Sequence, residues 1–252
     1  DLDMPVLDQR LISSPAVALQ QAQGAVEKMA RRAQRNFQLS FGQLRRWDPE
    51  VTTTITHREE LLDKMEVSIT NYLLQISDQE LNEGESRQVS ELLKFISEYE
   101  RIGDYSINIL QCAQRIHEEE ITLSKNAWNE LDQLEKCADK ALTIAGDAFA
   151  SEDADLAAQV EPLEETVDEM CDALRERHIR RLKQGDCSIE GGVVFLDVLT
   201  NTERISDHCS NIAARLIGDE TDDPDMHARK HSLLAGKDAA FNARLATYEQ
   251  KY

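Results

Sequence analysis

Glycine and proline are scarce in this chain, with 10 and 5 residues among 252. An all-β fold needs many tight turns, in which these residues predominate, so their scarcity argues against that class. Alanine, leucine, glutamate, glutamine and arginine are abundant instead, and all five favour helices. A hydrophobic fraction of 41% indicates a globular chain that can bury a core.

Long hydrophobic runs are also missing, and none approaches the roughly 18–20 residues that span a membrane. The chain begins Asp1-Leu-Asp-Met-Pro, which is acidic and lacks both an initiator methionine and a signal peptide. We therefore expect a fragment excised from a longer protein, so this lack does not exclude a membrane segment upstream.

Basic residues are outnumbered, 28 against 48 acidic residues, and the formal charge is −20. This charge argues against nonspecific binding to nucleic acid or to anionic lipid, because neutralising phosphates requires a basic surface. One local exception is a basic group at Lys28, Arg31, Arg32 and Arg35, followed by Arg45 and Arg46. It is either a solvated helix face or a contact to a partner or to the phosphate of a headgroup. The five cysteines form no C-x-x-C motif, which favours buried thiols in a reducing compartment.

Sequence motifs of catalysis are absent as well. The chain has no phosphate-binding G-x-x-x-x-G-K-[ST] loop, no H-E-x-x-H and no G-x-S-x-G, and no histidine follows a glutamate by three residues as a di-iron bundle requires. We therefore expect a protein that is not an enzyme.

The hydrophobic pattern predicts six long helices separated by short breaks. The predicted helices cover about 14–44, 51–76, 85–118, 124–150, 154–183 and 188–216. This spacing predicts an all-α fold of two tandem three-helix up-and-down bundles plus a C-terminal helix. The expected domains are residues 1–122 and 123–218 for the bundles, and 219–252 for an acidic linker and the last helix.

An internal repeat relates the two predicted bundles. The segment ERIGDYSINI at 100–109 returns as ERISDHCSNI at 203–212, with six of ten positions identical. A second motif, Glu59-x-x-Leu-Asp63, returns as Glu164-x-x-Val-Asp168. The repeated residues are mainly carboxylates, whereas a repeat of the core alone would preserve leucines. The duplication therefore indicates a duplicated site.

Each repeated motif places two carboxylates on one helix face, since residues four apart are neighbours on a helix. If the faces meet, each bundle gathers four carboxylates that need protons, basic side chains or a hard cation such as Mg²⁺, Ca²⁺, Mn²⁺ or iron. The candidate metal ligands are Glu59, Asp63, Glu100, Asp104, Glu164, Asp168, Glu203 and Asp207. Salt bridges to Arg101 and Arg204 are the competing interpretation, and His178 and His208 are possible imidazole ligands.

The E-R-I-x-D motifs at Glu100–Asp104 and Glu203–Asp207 resemble the signature of the PhoU family, regulators of bacterial phosphate uptake built from two three-helix bundles. The acidic motifs at 59–63 and 164–168 resemble that family's second signature. The resemblance implies that these positions bind multinuclear iron clusters or other divalent cations, with magnesium, manganese, zinc and calcium as further possibilities.

The lead-in at Leu7–Leu19 and the segment Leu174–Ser188 resemble the PhoU-like cytoplasmic domain of bacterial Na⁺/phosphate cotransporters. This implies a regulatory domain on the cytoplasmic side of the bacterial inner membrane. The implied partners are the membrane part of the cotransporter, in the same polypeptide, and phosphate-signalling proteins. A homodimer is also reasonable for long exposed helices.

The two copies depart from each other: Glu66 extends the first motif where the second has Cys171, and Tyr105 corresponds to His208. We therefore expect the two sites to differ in metal affinity. The alternative hypothesis is a metal-independent helical module whose acidic face binds a basic protein partner.

Overall fold

The computed structural model describes residues 3–218 and 239–252, and within these ranges every long element is a helix. A short 3₁₀ turn at Gln9–Leu11 precedes the first helix. The α-helices are α1 (Pro15–Arg45), α2 (Pro49–Ser77), α3 (Glu83–Glu118), α4 (Lys125–Ser151), α5 (Ala154–Ala157), α6 (Val160–Gln184), α7 (Ile189–Ile217) and α8 (Ala239–Lys251). The predicted all-α fold is confirmed.

Local side chains define where these helices begin. Asp48 accepts hydrogen bonds from the backbone N–H groups of Glu50 and Val51 at the start of α2. Asn82 and Glu85 form a reciprocal capping box at the start of α3. Such caps bind backbone N–H groups that have no partner inside the helix. They explain why the breaks predicted near residues 47–49 and 82–84 match the structure.

The helix predicted over 154–183 is interrupted, and here the structure differs from the expectation. The single turn α5 ends at Ala157, and α6 begins at Val160. Pro162 has no backbone N–H to donate to the carbonyl group of Ala158, and its ring would crowd that carbonyl in a continuous helix. The proline is tolerated because it lies in the first turn of α6, where the N–H would be unpaired.

The helices pack as two groups of three. Helices α1, α2 and α3 contact one another, and so do α4, α6 and α7. The groups meet along α3 and α7 and along α1 and α4, so that one hydrophobic core runs through both. Phe149 of α4 illustrates this, because its ring lies 4.7 Å from that of Phe95 and 6.1 Å from that of Tyr99. The proposed domain boundaries therefore stay a prediction.

The repeat is visible as local two-fold symmetry where α3 meets α7. Tyr105 and His208, which occupy equivalent positions of the repeat, stack on each other with their rings 5.6 Å apart. Two hydrogen bonds flank this stack at matching positions: Asn108 Nδ2 donates to Asn201 Oδ1 over 3.0 Å, and Asn211 Nδ2 donates to Glu98 Oε2 over 3.3 Å. Equivalent residues therefore join the halves.

Helix α8 packs on α6, and the predicted acidic linker after Gly218 lies outside the described residues. All five cysteines are free and four are buried, as expected. Among the described residues, no helix is long and apolar enough to cross a membrane.

Helices α2 and α3 approach each other closely at Gly103. A Cβ atom at this position would lie 2.6 Å from Glu59 Oε1 and 2.6 Å from Leu62 Cδ2. Both are side chains of α2 that are themselves buried. Glycine at this position therefore lets the acidic faces of the two helices pack together.

We predict that Gly103→Ala lowers the free energy of unfolding, because overpacking a core costs about 1–3 kcal/mol and helix propensity recovers only part of it. Gly146→Ala in α4 is the matched control, since a Cβ atom there would meet nothing within 4 Å. That variant should be neutral or more stable by about 0.5–1 kcal/mol. Urea unfolding of both measures the difference, and equal effects would contradict close packing at Gly103.

Candidate metal centre

The first carboxylate cluster lies between α2 and α3. We define cluster one as Glu59, Asp63, Glu66, Glu100 and Asp104. Glu59 and Asp63 lie one turn apart on α2, and Glu100 and Asp104 lie one turn apart on α3. The charges of Asp63, Asp104 and Glu100 act on Glu59, and those of Asp63 and Asp104 act on Glu66, so the four residues predicted for the first repeat and Glu66 lie near one another. Among the described residues, however, three ligand atoms converge within 4.8 Å only between α6 and α7.

Glu59 is the buried member of cluster one, with 9% of its surface exposed. Its Oε2 accepts a hydrogen bond from Asn36 Nδ2 over 3.2 Å. Its Oε1 is buried and accepts no hydrogen bond from the described part of the chain. Burial raises the pKa of Glu59 to about 7, the bond from Asn36 opposes this, and the charges of Asp63, Asp104 and Glu100 add to it.

The carboxylates of α3 are coupled to each other. Burial, a hydrogen bond with Asp104 and the charges of Asp104 and Glu66 raise the pKa of Glu100 above its ordinary value. Arg101 opposes this rise only weakly, because its Nε lies 3.9 Å from Glu100 Oε2 and its side chain is largely exposed. The predicted salt bridge to Arg101 therefore leaves cluster one short of positive charge.

The second cluster lies between α6 and α7. We define cluster two as Glu164, Asp168, Glu203 and Asp207. One oxygen atom from each of Glu164, Asp168 and Asp207 lies within 4.8 Å of the other two. Glu164 is fully buried. Burial, together with the charge and a hydrogen bond of Glu164, raises the pKa of Asp168 strongly.

Glu203, the fourth carboxylate of cluster two, pairs with an arginine that is not among the predicted site residues. Arg175 of α6 donates from Nη2 to Glu203 Oε2 over 2.5 Å. The 105-residue offset of the Glu59–Glu164 motif places Arg175 opposite Thr70, just as Cys171 is opposite Glu66. Comparison of the two copies over one more helix turn would have found it.

The clusters therefore differ in charge. Cluster one has five carboxylates, whereas cluster two has four and an arginine that binds one of them. Arg204 adds little further positive charge to cluster two, because its Nη1 lies 4.0 Å from Asp207 Oδ2 and its side chain is 60% exposed.

Neither of the two histidines considered as ligands joins a cluster. His208 Nδ1 lies 2.5 Å from Glu98 Oε2 in the contact between α3 and α7. His178 is buried and stacks on Phe195, with the rings 4.9 Å apart. Within the described ranges, the residues whose ligand atoms converge are carboxylates alone.

The fold and these clusters define an all-α protein made of two repeated bundles, each with facing rows of carboxylates. The family model named PhoU domain matches residues 26–113 and 131–216, so the chain belongs to the PhoU family. Proteins of this family are regulatory accessory proteins, which confirms that the chain is not an enzyme.

Relatives carry the same family name. The chain is 32% identical over 135 residues to phosphate-specific transport system accessory protein PhoU homolog 1 of Thermotoga maritima, covering 54% of this chain and 57% of that protein. It is 33% identical over 132 residues to the homolog of Pseudomonas aeruginosa, covering 52% of this chain and 53% of that one. The matched region thus spans little more than half of each of these relatives.

Two solved structures share the fold. The crystal structure of PhoU from Pseudomonas aeruginosa superposes with a TM-score of 0.74 at 22% identity, covering 79% of this chain and 95% of that one. The crystal structure of the phosphate transport system regulatory protein PhoU from Streptococcus pneumoniae superposes with a TM-score of 0.73 at 20% identity, covering 83% of this chain and 98% of that one.

We predict that in chelator the free energy of unfolding falls as pH rises from about 4.5 to about 7. The folded state holds the proton of Glu59 more tightly than the unfolded state, so ionisation in this window destabilises it. The effect of Glu59 alone is on the order of 3 kcal/mol. Thermal melts at both pH values measure it.

Glu59→Gln should flatten this pH dependence, because the amide is neutral and still accepts from Asn36. Glu50→Gln, which removes an exposed carboxylate in the first turn of α2, is the control. A pH dependence of equal size in both variants would contradict the assignment to Glu59.

Proposed function

We propose that this chain is a regulatory, non-enzymatic module of bacterial phosphate transport that binds divalent cations or a multinuclear metal centre at its two carboxylate clusters. The main support is the unpaired, buried Oε1 of Glu59 inside a group of five carboxylates. Oxygen ligands of this kind suit Mg²⁺, Ca²⁺, Mn²⁺ and iron. The names of the relatives support the role in phosphate transport.

Charge repulsion links binding to conformation. Ionised carboxylates on facing helices repel each other more strongly as water is excluded, and a cation removes that repulsion. Cluster one joins α2 to α3, and cluster two joins α6 to α7. Neutralisation of either cluster would bring its two helices closer together. Such a displacement is the proposed signal to a transport partner.

A narrower proposal concerns the partner. We propose that the chain acts on the cytoplasmic side of the inner membrane, attached to the membrane part of a Na⁺/phosphate cotransporter. The support is that the lead-in at Leu7–Leu19 and the segment Leu174–Ser188 resemble the PhoU-like cytoplasmic domain of such cotransporters. The relatives of Thermotoga maritima and Pseudomonas aeruginosa are instead named as accessory proteins of the phosphate-specific transport system, which makes that system the second candidate partner.

The metal-independent interaction module stays the alternative function. Arg175 favours it for cluster two, because this arginine already supplies a positive charge to Glu203. Cluster one has no equivalent arginine at Thr70. The two hypotheses therefore differ most clearly at cluster one.

We predict that protein purified without chelator retains metal, or takes up added Mn²⁺, and that Glu59→Gln/Glu100→Gln removes the share held by cluster one. Glu164→Gln/Asp168→Asn/Asp207→Asn should remove the share held by cluster two. Elemental mass spectrometry and titration with Mn²⁺ measure both shares.

Glu50→Gln/Glu190→Gln is the control, because both carboxylates are exposed in the first turns of α2 and α7. It should leave the metal content unchanged. Wild-type protein that holds no metal and takes up no Mn²⁺ would favour the interaction module, in which the cluster carboxylates bind a basic partner.

We predict further that Arg175→Thr strengthens Mn²⁺ binding at cluster two by roughly tenfold, or about 1.4 kcal/mol. The substitution gives cluster two the residue that the first repeat has at Thr70 and releases Glu203. The titration uses the Glu59→Gln/Glu100→Gln background, in which only cluster two binds. Arg177→Thr is the matched control, because this exposed arginine of the same helix lies near Glu130. Equal affinities in both variants would show that Arg175 does not compete with the cation.

A further inference from the structure

A cavity between α1 and α2 is lined by five basic side chains. Its volume is about 270 Å³, and its lining residues are Lys28, Arg31, Arg32, Arg35 and Arg58. The first four belong to the basic group that stood out in the sequence, and Arg58 joins them from α2. We name this cavity the arginine pocket. It concentrates positive charge in a chain whose formal charge is −20.

Arg32 forms the buried wall of the arginine pocket. Only 5% of the residue is exposed, and burial lowers the pKa of its guanidinium group. One of its terminal nitrogens contacts Met65 Sδ over 3.1 Å, and the other donates to the backbone carbonyl of Asp3. The charge of Asp3 opposes this lowering of the pKa but is the smaller of the two effects, so burial of the guanidinium group is only partly offset.

Arg58 is half-buried on the opposite side of the pocket. Burial lowers its pKa, and the charges of Arg32 and Arg35 lower it further. Its Nε donates to Asn36 Oδ1 over 2.7 Å. The guanidinium groups therefore lie close enough to repel each other.

The charge of Asp3 acts on Arg32, but Asp3 does not line the pocket, and the five side chains that line it are all basic. Arginines elsewhere in the chain pair directly with carboxylates: Arg45 pairs with Asp132 over 2.7 Å, and Arg181 pairs with Glu130 over 3.0 Å. The contrast is informative because acidic residues outnumber basic ones. A pocket whose five lining side chains are cations, with no carboxylate in the lining, is complementary to an anion.

We propose that the arginine pocket binds a phosphate group, either inorganic phosphate or the phosphate monoester of a lipid headgroup. Guanidinium groups donate paired hydrogen bonds in a plane that matches phosphate oxygens. The cavity volume is about nine times the roughly 30 Å³ that one water molecule occupies, so a five-atom anion fits.

Asn36 connects this pocket to cluster one. Its Oδ1 accepts from Arg58, and its Nδ2 donates to Glu59 over 3.2 Å. A bound anion would reorient Arg58. Because Arg58 and Glu59 are both hydrogen-bonded to Asn36, this movement would alter the hydrogen bond from Asn36 to the buried carboxylate of Glu59. This binding site goes beyond the proposed function, and its test runs in chelator so that it does not depend on metal binding.

The experiment is titration calorimetry of the full chain with inorganic phosphate, against sodium chloride at equal ionic strength. We expect saturable binding of one phosphate per chain. Arg31→Gln/Arg35→Gln should weaken it at least tenfold, and Arg58→Gln should do the same. Arg46→Gln/Lys183→Gln is the control, because it removes two exposed cations outside the pocket. Thermal melts verify that each variant is folded.

A second arm identifies the source of the phosphate group. Flotation with phosphatidylcholine vesicles, with and without phosphatidic acid, tests the headgroup. Binding to phosphatidic acid that the pocket variants lose assigns the lipid, and binding to inorganic phosphate alone assigns the free anion. The proposal is overturned if neither arm shows binding, if sodium chloride gives the same heat as phosphate, or if the pocket variants bind as well as the control.

Discussion

The confinement of carboxylates between packed helices is the constraint on which the rest of this structure depends. In each half, two acidic rows face each other across a helix contact, and the hydrophobic core on the other side of those helices prevents their separation. Burial and mutual repulsion raise the pKa values of Glu59, Glu100 and Asp168 together. A fold with this feature responds to whatever supplies positive charge, whether protons, an arginine or a metal ion.

Duplication turned one such contact into two, and divergence then made them unequal. Tyr105 and His208 still meet across the local two-fold axis, so the backbone arrangement of the repeat is preserved. The clusters differ where Glu66 and Thr70 of the first copy correspond to Cys171 and Arg175 of the second. Cluster two thus has a built-in cation in Arg175, whereas the equivalent position beside cluster one is the uncharged Thr70.

Positive charge lies close to the negative charge of cluster one, because the arginine pocket lies between α1 and α2 and cluster one lies between α2 and α3. The arginine pocket and cluster one share Asn36, so that an anion and a cation could be held at the two ends of one hydrogen-bonded path. For a family whose relatives are named for phosphate transport, this pairing offers a physical route by which occupancy of one region alters the other.

The sequence by itself determined the helices, the repeat and the eight paired carboxylates, because these follow from local rules. Apolar spacing and side-chain caps define the helices, and the four-residue step places Glu100 beside Asp104 whatever the rest of the chain does. Only the tertiary structure decided the rest. Which carboxylate is buried, that Arg175 binds Glu203 and that Arg58 joins the α1 arginines all depend on contacts between helices. Desolvation and charge coupling arise only once those helices are packed, so no spacing along the chain encodes them.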